Sequence, residues 1–504
     1  MKKIILLTSL ILMLFFSCKK DGPNVDQSID SKRSLEEDSA NKLEFTQTFA
    51  RALENQEVRA ILKQEALEKI DNDYDVLYAL SKNSTSSSGK TLHELISAYT
   101  EDKEHFDEIV QSLPLLTIYV PELDEFSAEK WDTENQIPIV AIRDVNDRKS
   151  NKPLLAYDAS GNLTELSYRE KPKDPVVVVK DNERVEAATK ESYSKGIVNT
   201  TNFKNSYRVT DIAFKNSRKL EDPKSSILMI GRDSSVREPR PPRDSSSVNI
   251  DNSYLISTES VRYAYEQKLE SQRDYVYYGI DPSKNVTSGK LTNRYAEHIV
   301  SIQMENEAAL QKITDDWTDG NLEIVINVIA LSRDGSSQSI RKAVSCSAED
   351  LKLIPIRGAE RVPTYRVGEY FLPQPLEIEK WDAYKYGEKW KFVVSEFDPG
   401  TETTTVTTVS SEFSGNFNGT VGVDFGLFKF GIGGGGTSKE TKSTQVTVKT
   451  TDTSDDLYEG ILNFYTPIYS RLQASRPMRY PIFPNSYTVN TGLIRLRVEP
   501  LAIY

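Results

Sequence analysis

Apolar residues recur at helical spacing in the first part of the chain. Phe45, Phe49 and Leu53 are each four residues apart, so they would line one face of a helix. Thr91 is followed three residues later by a glutamate, which is the spacing of a capping box at a helix start. This pattern predicts a small helical bundle over residues 34–113.

The apolar period shortens to two after the predicted bundle. The run 115–120 is typical of a strand, and the four consecutive valines at 176–179 are typical of a buried one. Residues 114–180 are therefore predicted to be β-rich. The apolar pattern weakens over 181–252, where serine, proline and mixed charges dominate. Such a composition buries too little apolar surface to offset the entropy lost on ordering, which predicts a loop or linker.

Short alternating runs separated by turn signals fill residues 253–504 and predict an antiparallel β-sandwich. Two arms rich in β-branched residues flank a glycine-rich centre and predict a long Thr/Gly-rich hairpin over 401–451. Antiparallel pairing of the arms would place the midpoint near Gly426 to Phe428. The expected fold class is α+β, with an N-terminal helical bundle, β-rich domains, and a C-terminal sandwich bearing the hairpin.

The first eighteen residues follow a different pattern. Two lysines precede a predominantly apolar run from Ile4 to Phe16, and a serine and Cys18 close it. The run is too short for a transmembrane helix and is typical of a secretory signal. It resembles a bacterial lipoprotein signal, whose cysteine receives a diacylglycerol and becomes the new N-terminus. The resemblance implies a signal peptide over 1–17, lipidation of Cys18 and a flexible tether over 18–33. An ordinary cleaved signal with a chance cysteine is the alternative.

The residue after Cys18 bears on which membrane holds the anchor. An aspartate there would resemble an inner-membrane retention signal, and this chain has Lys19, which favours the outer membrane. The stretch Lys19-Lys20-Asp21 resembles the charged export signals of Bacteroidota surface lipoproteins. A periplasmic and a surface-exposed orientation both remain open.

Charge and cysteine content narrow the classes of partner. The 504 residues carry a formal net charge of −12, which disfavours nucleic acid because its binding needs a basic stripe. An acidic chain also gains nothing from anionic lipid, so the acyl chains alone would hold it to the membrane. Lipidation of Cys18 would leave Cys346 without a disulfide partner, and we expect it to be a buried apolar side chain.

No motif of a known catalytic site stands out. The three histidines do not form a His-Glu-x-x-His motif, no Gly-x-Ser-x-Gly sequence occurs, and Cys346 has no histidine near it in sequence. We therefore predict no catalytic residue, no metal site and no enzymatic activity. Carboxylates are abundant, so a hydrolase with a carboxylate pair is the weakest alternative.

Calcium is the one cofactor that the sequence leaves open. Asp398 and the pair Asp455-Asp456 lie near predicted strand ends, where they would hold a calcium ion at the rim of the sandwich. Solvated loop charge is the favoured interpretation, so the prediction is that no cofactor is needed.

Four aromatic residues fall within ten positions, at Trp381, Tyr384, Tyr386 and Trp390. Aromatic rings at this density either pack the corner of a sandwich or form a platform on which a glycan stacks. Packing is the favoured interpretation, and the four residues are the candidate glycan-binding set.

Apolar residues change parity at the centre of the predicted hairpin, as a tip or a bulge would require. The Ser/Thr-rich arms and this alternating centre resemble the insertion region of aerolysin-type pore formers, which implies a membrane-spanning stem. A hairpin lying over the sandwich and a partner-binding arm are the other two interpretations. The candidate membrane or partner contacts are Val421, Val423, Phe425, Leu427, Phe428, Phe430 and Ile432.

These patterns together predict a lipid-anchored, acylated protein of the cell envelope, attached to the outer membrane, that is not an enzyme and binds a protein or glycan partner. A membrane-perturbing or pore-forming protein that uses the hairpin 401–451 is the alternative. A hydrolase without a recognisable motif is the third.

Overall fold

Helices dominate the N-terminal part of the chain and strands the rest, and the fold is α+β as predicted. A computed structural model describes residues 25–143, 152–187, 207–209, 259–269, 271–313, 317–318, 320–351, 353–356, 364–397, 402–414, 417–418, 427–429, 439–451, 456–471 and 485–503. Cys18 and the predicted signal peptide lie outside these ranges. Within them, no helix is both long enough and apolar enough to cross a membrane.

The N-terminal region combines five helices with one six-stranded sheet. The helices are α1 (Val25–Ala52), α2 (Gln56–Leu67), α3 (Tyr78–Ser81), α4 (Leu92–Ser97) and α5 (Lys103–Ser112). The strands are β1 (Asp75–Leu77), β2 (Leu116–Tyr119), β3 (Ile139–Ile142), β4 (Leu154–Tyr157), β5 (Leu163–Leu166) and β6 (Val176–Asp181). Their order in the sheet is β1-β2-β6-β3-β4-β5, and β3 and β6 run parallel while the other neighbours are antiparallel.

The helices and this sheet share one hydrophobic core. Phe45 stacks on Phe49 and on Phe106, with ring centroids 5.8 Å apart in both pairs. The four valines of 176–179 are fully buried in the same core. The predicted boundary between a bundle at 34–113 and a β-rich segment at 114–180 therefore falls inside one core. The reason is that the apolar stripe of each helix and the apolar face of the sheet cover each other.

The structure also corrects two predicted segments without regular structure. Helix α1 begins at Val25, so residues 25–33 of the predicted tether are helical. Strand β6 continues into the predicted linker 181–252, and two further strands lie within it, β7 (Val185–Ala187) and β8 (Tyr207–Val209). These two strands pair with each other. Residues 188–206 and 210–252 lie outside the described ranges.

The C-terminal region begins with helices α6 (Glu259–Glu266), α7 (Gln272–Tyr278) and α8 (Glu307–Ile313), and a later short helix is α9 (Ala383–Tyr386). The strands are β9 (Ser288–Lys290), β10 (Tyr295–Met304), β11 (Leu322–Leu331), β12 (Ser337–Cys346), β13 (Leu353–Ile356), β14 (Thr364–Val367), β15 (Glu369–Glu379), β16 (Lys389–Glu396), β17 (Glu402–Ser414), β18 (Phe417–Asn418), β19 (Leu427–Lys429), β20 (Lys439–Thr451), β21 (Asp456–Asn463), β22 (Tyr469–Arg471), β23 (Asn485–Ser486), β24 (Val489–Asn490) and β25 (Ile494–Ala502).

Two antiparallel four-stranded sheets form the predicted sandwich, with strand orders β15-β10-β25-β24 and β12-β11-β16-β21. Alternate side chains of β11, among them Ile324 and Ile326, point into a core that they share with Ile299 and Ile302 of β10 in the facing sheet. Cys346 is buried in this core, as predicted, and burial raises the pKa of its thiol.

The hairpin forms a third layer outside the sandwich. Strands β17 and β20 pair antiparallel without a register shift from Glu402 opposite Thr451 to Ser414 opposite Lys439, which centres the hairpin at the predicted midpoint. Val409, Phe413 and Val448 of the arms pack against the outer face of the β11–β16 pair, where they meet Ile329, Leu331 and Val393. The hairpin thus covers the outer face of β11 at Ile329 and Leu331, while Val209 and Phe397 pack against Val325 on the same face, and all ten residues of the strand are buried.

A buried polar cluster joins the N-terminal sheet to the sandwich. Arg184, which is fully buried, lies 3.0 Å from a carboxylate oxygen of Asp73 and 3.1 Å from one of Asp75, and its Nε also donates to Glu323 of β11. A second arm of the cluster holds Arg143 against Glu183. Coulombic attraction to cations lowers the pKa of Glu183 to about 2, although burial opposes it.

Asp71 and Lys180 also belong to the cluster. With them, the carboxylates of the cluster outnumber its cations in the described structure. Burial raises the pKa of Asp71, Asp75 and Glu323, in spite of Arg184, which lowers all three. The chain enters β11 through Gly320, whose φ of +89° suits glycine. A Cβ there would lie 1.9 Å from the Asp73 carboxylate, so a side chain at this position would displace the acceptor of Arg184.

Replacing Arg184 by methionine should destabilise the protein by about 3–5 kcal/mol, because three buried carboxylates lose the cation that compensates them. Urea unfolding at pH 7 measures the change in the free energy of unfolding. The control is Arg262→Met, since Arg262 is exposed and forms only a helical ion pair with Glu266, and its loss should cost less than about 0.5 kcal/mol. Equal losses in the two variants would show that the cluster does not hold the two regions together.

Candidate functional site

The structure describes the hairpin arms but only part of the predicted contact set at the hairpin centre. Leu427 and Phe428 lie in β19, which pairs on one side with β18 and on the other with β9 of the body. The register places Leu427 opposite Lys290 and Phe428 opposite Gly289. The other five candidates, Val421, Val423, Phe425, Phe430 and Ile432, lie outside the described residues. The described part of the hairpin thus contacts the body of the molecule in two places: the arms pack on the sandwich, and β19 pairs with β9.

Three of the four candidate glycan-stacking rings are buried. Trp381 and Trp390 are 0% exposed and Tyr386 is 2% exposed. Phe464 packs between the two indoles, with its ring centroid 4.8 Å from that of Trp381 and 4.7 Å from that of Trp390. A sugar cannot reach buried ring faces, so the prediction of a four-ring platform is corrected in favour of the packing interpretation. Only Tyr384 of the four is exposed, and the Arg333 guanidinium lies 4.6 Å above its ring.

The predicted calcium ligands do not form a described site. Asp398 and Asp455 lie outside the described ranges, and Asp456 accepts a hydrogen bond of 2.8 Å from the backbone N–H of Tyr458. Across the described ranges, no group of three or more histidine, cysteine, aspartate or glutamate side chains converges as metal ligands would.

A cleft of about 440 Å³ opens where the hairpin stops covering the sandwich. Its floor is the outer face of three neighbouring strands and consists of Val325, Asn327, Ser339, Arg341, Ser395 and Phe397. Residues two positions apart on a strand share a face, so Val325 and Asn327 lie on the same face of β11 as Ile329 and Leu331. The hairpin covers the latter two. The cleft therefore continues the surface on which the hairpin lies, with Val209 of β8 packed against Val325 at its floor, and we call it the hairpin cleft.

The wall of the hairpin cleft is the edge of β20. Four consecutive residues, 447–450, line it. Consecutive side chains of a strand point to opposite faces, so four in a row meet one cavity only if the cavity lies beside the strand. Among the described strands, β20 pairs with β17 and with no other. Its second edge therefore faces the cleft.

Asn327 provides a buried polar group in the floor. The residue is 6% exposed, and its Nδ2 has no hydrogen-bond partner among the described residues. A buried amide N–H without an acceptor costs about 1–3 kcal/mol. Asn327 lines the cleft and its amide has no described acceptor, which makes it a candidate polar contact for a ligand.

The charged side chains among the described lining residues are Arg341 and Lys449, one from the floor and one from the wall. Arg341 lies opposite Asn327 in the β11–β12 register, so the two side chains share a face. Its guanidinium lies 6.0 Å from the centroid of the Phe397 ring. Serine and threonine hydroxyls and the apolar side chains Val325 and Val448 complete a surface suited to a ligand that carries acceptors and negative charge.

This cleft was not predicted from the sequence. Its floor and wall come from four strands that are separated by up to about 120 positions, and the relevant residue types are common on strands. The one available signal was Asn327, an amide within the apolar run of β11, because such a residue in a buried strand has to find a partner.

A second feature missed from the sequence is Asp274 of α7, which is 2% exposed. Burial raises the pKa of its carboxyl to about 8, the negative charge of Glu388 contributes in the same direction, and Ser271 opposes them. The folded chain therefore keeps a proton at neutral pH that an unfolded chain would release.

The chain matches no protein-family model, no curated protein and no solved structure. Its function therefore has to be inferred from its own geometry and chemistry.

The stability contributed by Asp274 should decrease as pH rises from about 4 to about 8. The folded-state pKa lies above the ordinary 3.8, so folding retains a proton throughout this window, at a slope of at most about 1.4 kcal/mol per pH unit. Asp274→Asn, which cannot ionise, should flatten the slope measured by urea unfolding between pH 5 and 8. The exposed residue Asp124 provides the control, Asp124→Asn. If Asp274→Asn keeps the full slope, Asp274 does not hold the proton.

Proposed function

We propose that the protein is a lipid-anchored component of the cell envelope that is not an enzyme and binds a protein or glycan partner in the hairpin cleft. The observation that carries the proposal is the cleft itself, with the unpartnered amide of Asn327 in its floor. A cavity of this size lies in the range of ligand sites, which combine apolar lining with a few fixed polar groups.

The chemistry of the described lining supports binding over catalysis. It consists of hydroxyls, one amide, apolar side chains and two cations. General acid–base catalysis needs a group that gains or loses a proton near neutral pH, such as histidine or a carboxylate with a shifted pKa. The described lining residues include neither type, whereas hydrogen-bond donors and cations are suited to holding an anionic or carbonyl-bearing partner.

The envelope location rests on the N-terminal sequence. Removing Lys2 and Lys3 with the signal would take the formal net charge from −12 to −14, so the polypeptide itself would not be drawn to anionic lipid. Acyl chains on Cys18 would provide the attachment, since each buried CH₂ contributes about 0.8 kcal/mol.

Cells grown with radiolabelled palmitate should incorporate label into the wild-type chain and not into Cys18→Ala, because only the cysteine of the signal accepts acyl chains. Gel fluorography after immunoprecipitation measures incorporation. Cys346→Ala is the matched control, and it should keep the label because that thiol is buried. Label in both the wild type and Cys18→Ala would place the acyl chains on another residue. Label in neither would show that the protein is not acylated.

Binding in the cleft is tested by photo-crosslinking in intact cells. With p-benzoylphenylalanine in place of Thr447, we expect a light-dependent adduct, because this exposed residue lines the wall of the cleft. The same substitution at Thr164, an exposed threonine of β5, is the matched control and should give none. The second change Asn327→Leu should abolish the adduct from position 447.

Adducts of equal yield from positions 447 and 164, or none from 447, would remove the hairpin cleft as the binding site.

The alternative, membrane perturbation, receives little support from the described arms. A membrane-spanning strand needs about nine to eleven residues with one apolar face. Strand β17 presents Thr404, Val406 and Thr408 on its exposed face, and Lys442 and Lys449 charge β20. Insertion would therefore have to depend on residues 415–438. Release of dye from liposomes by the chain without its anchor, lost on deletion of 413–436, would favour this alternative.

A further inference from the structure

We infer that the hairpin cleft binds an acidic peptide segment in extended conformation, which adds as a new strand to the edge of β20. This inference rests on the proposed function and makes its partner specific: a protein that offers an extended segment with carboxylates.

The first reason is the geometry of the wall. A strand edge presents alternating N–H and C=O groups, which an added strand satisfies along its whole length. Residues 447–450 present this edge to the cleft, and β17 already occupies the opposite edge. At about 3.4 Å per residue, these four residues offer about 14 Å of edge, enough for a segment of about four residues.

The second reason is the position of Asn327 relative to that edge. The floor strands are not in the same sheet as β20, so the amide lies beneath the path of an added strand and not in its ladder. A side chain pointing down from the added strand would lie over Asn327, whose buried Nδ2 has no described acceptor. A carboxylate or amide oxygen of the peptide provides one.

The third reason is charge. Arg341 in the floor and Lys449 on the wall would be close to side chains on both faces of an added strand, because alternate residues point down and outward. A basic segment would bring like charges together, whereas carboxylates would pair with both cations. Phe397, which is half-buried and packs against Val325, favours β-branched side chains between the acidic ones.

The probes for the test are fluorescein-labelled octapeptides of three kinds, four peptides in all, and fluorescence anisotropy with the full chain in mild detergent measures binding. The first alternates aspartate and valine, the second alternates lysine and valine, and the third is the acidic peptide with N-methyl groups on alternate backbone nitrogens, prepared in both phases. We expect the acidic peptide to bind, the basic one to fail, and at least one N-methyl phase to lose binding because it cannot join the ladder.

Charge-removing variants test the two cations separately. Arg341→Gln and Lys449→Gln should each weaken binding of the acidic peptide about tenfold. Added salt should lower the affinity of each variant less than it lowers the affinity of the wild type, because one ion pair is already missing. Arg262→Gln removes an exposed arginine far along the chain in α6 and should leave affinity unchanged. Asn327→Leu should weaken binding at any salt concentration. Thermal unfolding of each variant verifies that it is folded.

The possible failures are distinguishable. Equal binding of the basic or of both N-methylated peptides, or insensitivity to Arg341→Gln and Lys449→Gln, would overturn the inference. Failure of every peptide, with the crosslink from position 447 still present in cells, would also overturn it and leave the proposed function standing with another ligand. An acidic oligosaccharide, tri-galacturonic acid, that binds where the peptides fail would identify that ligand as a glycan. Loss of both the crosslink and peptide binding would overturn both.

Discussion

The buried guanidinium of Arg184 is the constraint on which the rest of the structure depends. A charge without water is tolerated only if its N–H groups meet acceptors, and Arg184 finds them on two separate regions of the chain, at Asp73 and Asp75 beside or in β1 and at Glu323 in β11. These hydrogen bonds therefore fix the distance between the N-terminal sheet and the sandwich. Gly320 makes this approach sterically feasible, since a side chain there would overlap Asp73. Because β11 is a central strand, its position in turn fixes the surface on which the hairpin lies.

The hairpin cleft follows from how two-stranded and four-stranded layers meet. The hairpin covers Ile329 and Leu331 and leaves Val325 and Asn327 beside an edge of β20 that has no described partner. Strand edges invite unwanted pairing, and proteins commonly protect them with charge. Lys449 would have that effect on this edge, and the same charge would select which segment pairs there. Protection and selectivity would thus be two consequences of one side chain.

Features that depend on local sequence were predicted, whereas features that depend on contacts between distant parts of the chain were not. The arms of the hairpin and the position of its centre were predictable, because β-branched composition and antiparallel pairing are local properties. Trp381, Tyr386 and Trp390 are equally evident in the sequence, but their burial depends on Phe464 and on the facing sheet, which are distant in sequence. Asn327 is visible as an amide in an apolar strand, yet only the packed layers show that it lines a cavity.

By itself, the sequence determined the α+β order, the strands of the sandwich, the hairpin and the burial of Cys346. Side-chain periodicity and backbone preference act over a few residues, so they can be read without a fold. Tertiary structure decided that helices and six strands share one core, that residues 25–33 are helical instead of a tether, and that β20 leaves one edge beside a cleft. It also decided that Arg184 meets Glu323 across 139 positions. No local spacing encodes such meetings, because they depend on which apolar faces bury one another.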